Sequence, residues 1–136
     1  MIRFILWFKP YAKYFLVAWI IIILTVSSIP SLRPLTIHTP KSDIRLDYLL
    51  HFCEYGSLAF LAFLSFADRN FRMDLKKYTV ITAGLMLFSM FDEFHQKLIP
   101  GRTFNMKDIY SNFTGILAGL IFCIVVFRIL GRRQQD

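Results

Sequence analysis

Ile109-Tyr110-Ser111-Asn112-Phe113-Thr114-Gly115-Ile116-Leu117-Ala118-Gly119-Leu120-Ile121-Phe122-Cys123-Ile124-Val125-Val126-Phe127 is a run of nineteen residues without a charge. A helix rises about 1.5 Å per residue, so roughly 20 such residues cross the hydrocarbon core of a bilayer. Three more apolar blocks precede it: Tyr14 to Ile29, closed by Pro30; about Tyr48 to Ala67; and Tyr78 to about Ile99. The second and fourth blocks span on length alone. The third has fourteen uncharged residues, Tyr78 to Phe91, before a polar cluster, and spans only with that cluster near an interface. The first is short unless it extends past Lys9 and Pro10; otherwise Met1 to Phe8 lies along the membrane surface. The expected fold is all-α, a single domain over residues 1–136 built as an integral membrane bundle of four transmembrane helices. Their expected bounds are about 11–30, 47–67, 77–99 and 108–130.

Composition agrees. Of 136 residues, 56% are hydrophobic and 18% charged, the mean hydropathy is +0.51, and a soluble domain carries only ~45–50% apolar residues. That balance excludes a disordered chain, a disulfide-stapled mini-domain and a soluble coiled coil. The net charge of +7 would suit nucleic acid in a soluble chain. Here the cations flank apolar blocks and form no basic stripe interleaved with aromatics, so no nucleic-acid partner is expected. Ten cations fall in the N-terminal tail (Arg3, Lys9, Lys13), the 68–77 loop (Arg69, Arg72, Lys76, Lys77) and the C-terminal tail (Arg128, Arg132, Arg133). Six fall in the 30–47 loop (Arg33, Lys41, Arg45) and the 97–107 loop (Lys97, Arg102, Lys107). The positive-inside rule then sends both termini to the cytoplasm.

The charged start, apolar run and Val26-Ser27-Ser28 also fit a cleavable leader, but the run is long and Pro30 follows at once. Cleavage would leave the other three helices oriented as before. Cys53 and Cys123 sit about 9 Å and 22 Å along their helices from Asp47 and Asp108, too different in depth to pair.

Charged side chains inside a membrane helix are costly, which makes those found there functional candidates. Asp47, His51 and Tyr55 are spaced i, i+4, i+8 and stack on one helix face, with Glu54 adjoining. Asp92 shares a face with His95 and Gln96, with Glu93 beside them; Asp108 and Asn112 are again i, i+4. The expected topology brings all three polar faces to the same, extracytoplasmic, end of the bundle, as one outward-open polar pocket. The cytoplasmic ends carry ordinary solvated Lys and Arg, with Asp68 and Asp74. Pro100-Gly101 is a turn signal that folds Arg102 back toward Asp92, Glu93 and Asp108, and a guanidinium suits a carboxylate or a phosphate.

Asp92-Glu93-Phe94-His95-Gln96, Pro100-Gly101-Arg102, then Asp108, Asn112, Gly115 and Gly119, resemble the signature of the VanZ-like family. Asp47, His51 and Tyr55 match its earlier motif, and the resemblance covers about residues 43–127; the Lys that often follows the first Asp is Tyr48 here. It implies a small multi-pass protein of the bacterial cytoplasmic membrane, in a family named for a member tied to resistance to the glycopeptide teicoplanin.

Each residue also has a plainer reading. Asp92, Glu93 and Arg102 serve equally as a structural ion pair, His51 and His95 as satisfied interface histidines, and Asn112 as an interhelical hydrogen-bonding group. Tyr55 also fits an interfacial anchor, and Gly115-x-x-x-Gly119 reads as close helix packing. His51-x-x-Glu54 and Asp92-x-x-His95 each put two metal-ligand types on one face, yet no complete zinc signature occurs, so no metal or cofactor is assigned. Two function classes follow. One is a binder or envelope-modifying factor for an amphiphile: an anionic lipid, a lipid-linked wall precursor or a lipoglycopeptide. Arg102, Asp47, Glu54, Tyr55, Gln96, Asp108 and Asn112 line its site, and the family's name implies a link to glycopeptide resistance. The other is a membrane-embedded acid–base enzyme on such a molecule, with Asp92 or Glu93 as base, His51 or His95 as proton shuttle and Arg102 as phosphate clamp. A transporter comes third, since four helices in one chain need to oligomerise for that work.

Overall fold

The computed structural model describes residues 2–31, 36–38 and 43–133. Arg33 and Lys41, two of the cations counted for the 30–47 loop, lie outside the described residues. The elements are α1 (Ile2–Phe8), a 3₁₀ turn (Lys9–Tyr11), α2 (Ala12–Ser27), β1 (Thr36–His38), β2 (Asp43–Arg45), α3 (Asp47–Phe66), α4 (Leu75–Gln96) and α5 (Met106–Arg133). Among the described residues, three segments are long and apolar enough to cross a membrane: Phe4–Ser27, Asp47–Phe66 and Met106–Arg132.

The first of these passes through Pro10 without leaving helical geometry. Proline is tolerated there because the 3₁₀ turn is a new start, where its missing N–H was not needed. This segment takes in α1, the extension past Lys9 and Pro10. The helix stops at Ser27 rather than near residue 30: the Ser28 side chain and N–H both bond back to Leu24, closing the last turn before Pro30. Between α2 and α3, where the sequence suggested only a loop, β1 pairs antiparallel with β2, Ile37 opposite Ile44.

Glycine decides how α3 and α5 meet. They run parallel, Gly56 against Gly115 and Ala59 against Gly119. A Cβ at Gly115 would collide with the Phe52 carbonyl, and one at Gly119 would lie 2.8 Å from both the Ala59 Cβ and the Gly56 carbonyl. Only glycine permits this approach, the small-x-x-x-small packing of membrane helices. α4 runs antiparallel to both; Tyr55 meets Phe88 and Phe63 meets Tyr78 in tilted ring contacts at 6.3 and 5.7 Å. The core between them holds Leu58, Ala59, Phe63, Ile116 and Cys123. Cys53 is exposed and Cys123 buried, and both are free thiols.

The rest of the surface is greasy. Val17, Ile21, Leu87, Phe91, Ile121 and Val125 are all exposed, as suits side chains solvated by lipid rather than by water. The topology gathers the end of α2, the start of α3, the end of α4 and the start of α5 at one end, the polar end. The opposite, basic end holds the end of α3, the start of α4 and the end of α5. There the Lys9 ammonium donates to the carbonyls of Ala67 (3.1 Å) and Asp68 (2.5 Å) and lies 4.2 Å from the Phe71 ring centre. It reaches carbonyls just past the end of α3, of which that of Asp68 also accepts the Phe71 N–H.

Candidate functional site

Helix spacing puts Asp47, His51 and Tyr55 on the inner face of α3, and the structure turns that face toward α4 and α5. Tyr55 is fully buried and its hydroxyl donates to Asp92 Oδ2 at 3.0 Å. Gln96, one turn beyond Asp92 on α4, donates from Nε2 to the same oxygen and to Ser27 Oγ, both at 3.3 Å, which ties the end of α2 to the cluster. Glu93 accepts the backbone N–H of Asn105 on Oε1 at 2.9 Å. Asn105 also donates from Nδ2 to Asp108 Oδ1 (3.1 Å) and accepts the Lys107 N–H on its own Oδ1 (3.1 Å), so it caps the start of α5 while holding two carboxylates apart. His51 completes the ring, with Nε2 3.9 Å from Asp108 Oδ2 and Nδ1 4.0 Å from Glu54 Oε2. Asp47, in the first turn of α3, is buried at the same end.

Four residues in this frame escaped the sequence reading. Asn105-Met106-Lys107-Asp108 has the form of a capping box, a polar residue followed three positions later by an acid, and was legible as such. Ser27, Trp19 and Ser111 carried no local signal. The Trp19 indole N–H donates to the Glu54 carbonyl at 3.0 Å, and the Ser111 hydroxyl donates to the Tyr48 carbonyl. Both fasten α3 from neighbouring helices, and only the tertiary fold creates such contacts.

The loop after α4 turns at Pro100-Gly101, with Gly101 at φ +77°, a conformation that favours glycine. The Ser31 N–H donates to the Pro100 carbonyl at 3.0 Å, pinning the loop to the chain after α2. Arg102 is half-buried and within Coulomb reach of Glu54 and Glu93. Among the described residues, however, it closes no ion pair, and its Nε is buried without a hydrogen-bond partner. The structural ion pair weighed from the sequence is therefore absent from the described contacts. His95 stacks on Phe91 at 6.3 Å while His51 sits between Glu54 and Asp108, so the two histidines occupy different neighbourhoods.

Buried polar atoms in proteins are almost always hydrogen-bonded. Among the described residues, every buried side-chain nitrogen or oxygen without a hydrogen-bond partner lies at this one end: His51 Nδ1, Asp92 Oδ1, Glu93 Oε2, His95 Nδ1, Arg102 Nε and both amide atoms of Asn112. Asp92 is 1% exposed, and Glu93 and Asn112 are 0% exposed. Asp92 and Glu93 thus each have one oxygen held by the protein and one left over. Such a set offers acceptors to hydroxyl or ammonium donors, an amide able to do both, and a guanidinium nitrogen for an anion. Among the described residues no three His, Cys, Asp or Glu side chains converge in metal-holding geometry.

Comparison with curated proteins and with solved structures found no match. The family model described as VanZ/LLP1 matches residues 4–128 and so takes in every residue of this cluster. That match spans most of the chain, from the first helix into the last third of α5, and covers all or most of the three segments able to cross a membrane. The chain is therefore a multi-pass membrane protein belonging to the VanZ/LLP1 family.

Proposed function

We propose that the polar end binds the hydrophilic part of an amphiphilic molecule of the bacterial envelope: an anionic lipid, a lipid-linked wall precursor or a lipoglycopeptide. In this reading α4 is a fourth span. Its outward residues Val80, Leu87, Phe91 and Phe94 are apolar and exposed, whereas Ser89, Asp92, Glu93 and Gln96 are buried. Only Lys76 and Lys77 at its start require water, and such chains snorkel to an interface. Four spans bring both termini to one side, and the excess of cations on the terminal side assigns it to the cytoplasm. The polar end then faces outward from the cytoplasmic membrane, as a site under the loop of residues 97–105.

The observation that carries the proposal is the confinement of every described unpartnered buried polar atom to this end. A cluster kept only for structure would spend those atoms on one another, because each buried group left unpaired costs about 1–3 kcal/mol. Sugar hydroxyls donate to Asp92 Oδ1 and Glu93 Oε2 and exchange hydrogen bonds with the Asn112 amide. A phosphate or carboxylate of the same ligand meets Arg102. His51 and Glu54, partly exposed, form the rim.

The test is saturable binding of a teicoplanin-type lipoglycopeptide, a polyprenyl-linked sugar phosphate and phosphatidylglycerol to the purified protein in nanodiscs. The proposal expects at least one of them to bind, and Arg102→Gln to weaken it about tenfold or more, the loss expected of one charge-assisted hydrogen bond. Absence of saturable binding in all three cases, or binding that ignores Arg102→Gln, would contradict it.

One observation favours a second reading, acid–base catalysis on the same ligand: Asp92 Oδ1 and Glu93 Oε2 are unpartnered oxygens of adjacent buried carboxylates, one of them beside the Tyr55 hydroxyl. A carboxylate with one oxygen held in place by a donor and the other free to face a ligand's proton is the arrangement a general base needs. Asp92→Asn separates the readings, because an enzyme loses product formation with binding retained, while a binder shows no product in either form.

A further inference from the structure

At the basic end a cavity of about 500 Å³ opens between the 67–74 loop, the start of α4 and the end of α5. Among the described residues, its only charged lining residues are Arg72, Arg128 and Arg132; Phe71, Leu75, Ile124 and Phe127 supply apolar wall. Ile124, Arg128 and Arg132 stand at i, i+4, i+8 on α5, so the helix passes from an apolar to a cationic surface where its membrane-crossing segment ends at Arg132. Phe71 adopts φ +57° with its ring 5.6 Å from that of Phe127, and the following Arg72 lines the same cavity as the α5 arginines.

The nearby acids do not neutralise this cavity. The Asp68 carboxylate accepts the N–H groups of Asn70 (2.9 Å) and Arg72 (2.6 Å), and Asp74 accepts that of Lys77 (2.7 Å). Both are occupied in shaping the loop and in capping α4, and neither lines the cavity. Among the described residues, none of the three guanidinium groups pairs with a carboxylate. Three unpaired cations over an apolar floor, at the level where spans end, match a phosphate ester that carries acyl chains.

We propose that this cavity is a binding site for an anionic glycerophospholipid, with Arg72, Arg128 and Arg132 on the phosphate and Phe71, Leu75, Ile124 and Phe127 against the glycerol and upper acyl chain. It is separate from the polar end and stands whichever side of the membrane it faces. A lipid, rather than free phosphate, is the occupant because apolar side chains supply most of the lining beside the three arginines. Such a site would fix the 67–74 loop and the end of α5 at headgroup height.

Native mass spectrometry of the full chain from mixed micelles of phosphatidylglycerol and phosphatidylcholine tests this directly. The expected result is preferential retention of phosphatidylglycerol, reduced about fivefold by each of Arg72→Gln, Arg128→Gln and Arg132→Gln. Arg69→Gln, outside this cavity, should leave the preference intact. Ile124→Trp, which keeps all three charges and fills the floor, should also reduce retention. Equal retention of the two lipids by the unaltered protein, retention indifferent to all three arginine variants, or full displacement by inorganic phosphate would overturn the proposal.

Discussion

The two ends of this bundle treat charge in opposite ways. At the polar end Asp92 and Glu93 are buried among three helices, and each keeps one oxygen without a protein partner. At the basic end Asp68 and Asp74 are exposed, accept backbone N–H groups on Oδ1 and leave the other oxygen to solvent, while Arg72, Arg128 and Arg132 stand at the surface. Burial makes the first arrangement expensive and solvent makes the second cheap. A fold that needed its acids only for loops and caps would resemble the basic end throughout. The polar end departs from that pattern, and the departure is the argument for a ligand there.

The contrast can be broken by substitution, beginning where the effect is largest. Gly115→Leu should separate α3 from α5 at the Phe52 carbonyl and cost about 3 kcal/mol or more, seen as loss of a monodisperse, cooperatively melting species. Both ends depend on that approach, so both should fail together. Asp92→Ala removes the acceptor shared by Tyr55 and Gln96 and leaves a buried hydroxyl unpaired, for about 2 kcal/mol in a thermal melt. Asp74→Ala, the corresponding loss at the other end, removes only an N-cap and should cost about 1 kcal/mol. Arg128→Gln should change stability by less than about 0.5 kcal/mol, since no described contact depends on its charge. A melt in which Asp74→Ala costs as much as Asp92→Ala would erase the distinction between the ends.

How much of this was readable in advance follows from the range of each interaction. Spacing along one helix is local, so the shared face of Asp47, His51 and Tyr55 and the glycine pair of α5 were legible from a 3.6-residue repeat. Of the membrane-crossing segments, Asp47–Phe66 and Met106–Arg132 were legible from apolar length, whereas Phe4–Ser27 is long enough only through the extension past Lys9 and Pro10. Partnership between helices is not local. That Asp92 Oδ2 would serve both Tyr55 and Gln96, that Gln96 would reach Ser27, and that Arg102 would stop short of an ion pair depend on crossing distances no single segment encodes. Lys9 is the plainest case. Counted from the sequence as a topogenic charge, it folds onto the Ala67 and Asp68 carbonyls just past α3. Asn105 is the opposite case: its capping pattern was present, but an apolar-block reading that starts at Ile109 passes over it.

The side chain that isolates the central claim is Asn112, fully buried with neither amide atom hydrogen-bonded by the protein. Leucine has nearly its shape and removes the unmet polar atoms. The measurement is the thermal melt of Asn112→Leu beside the unaltered protein, each with and without the amphiphile found to bind. The variant should be at least as stable without ligand, by up to about 1 kcal/mol, and show no ligand-induced rise in Tm. A variant destabilised by about 2 kcal/mol or more, or one still stabilised by ligand as the unaltered protein is, would contradict that claim.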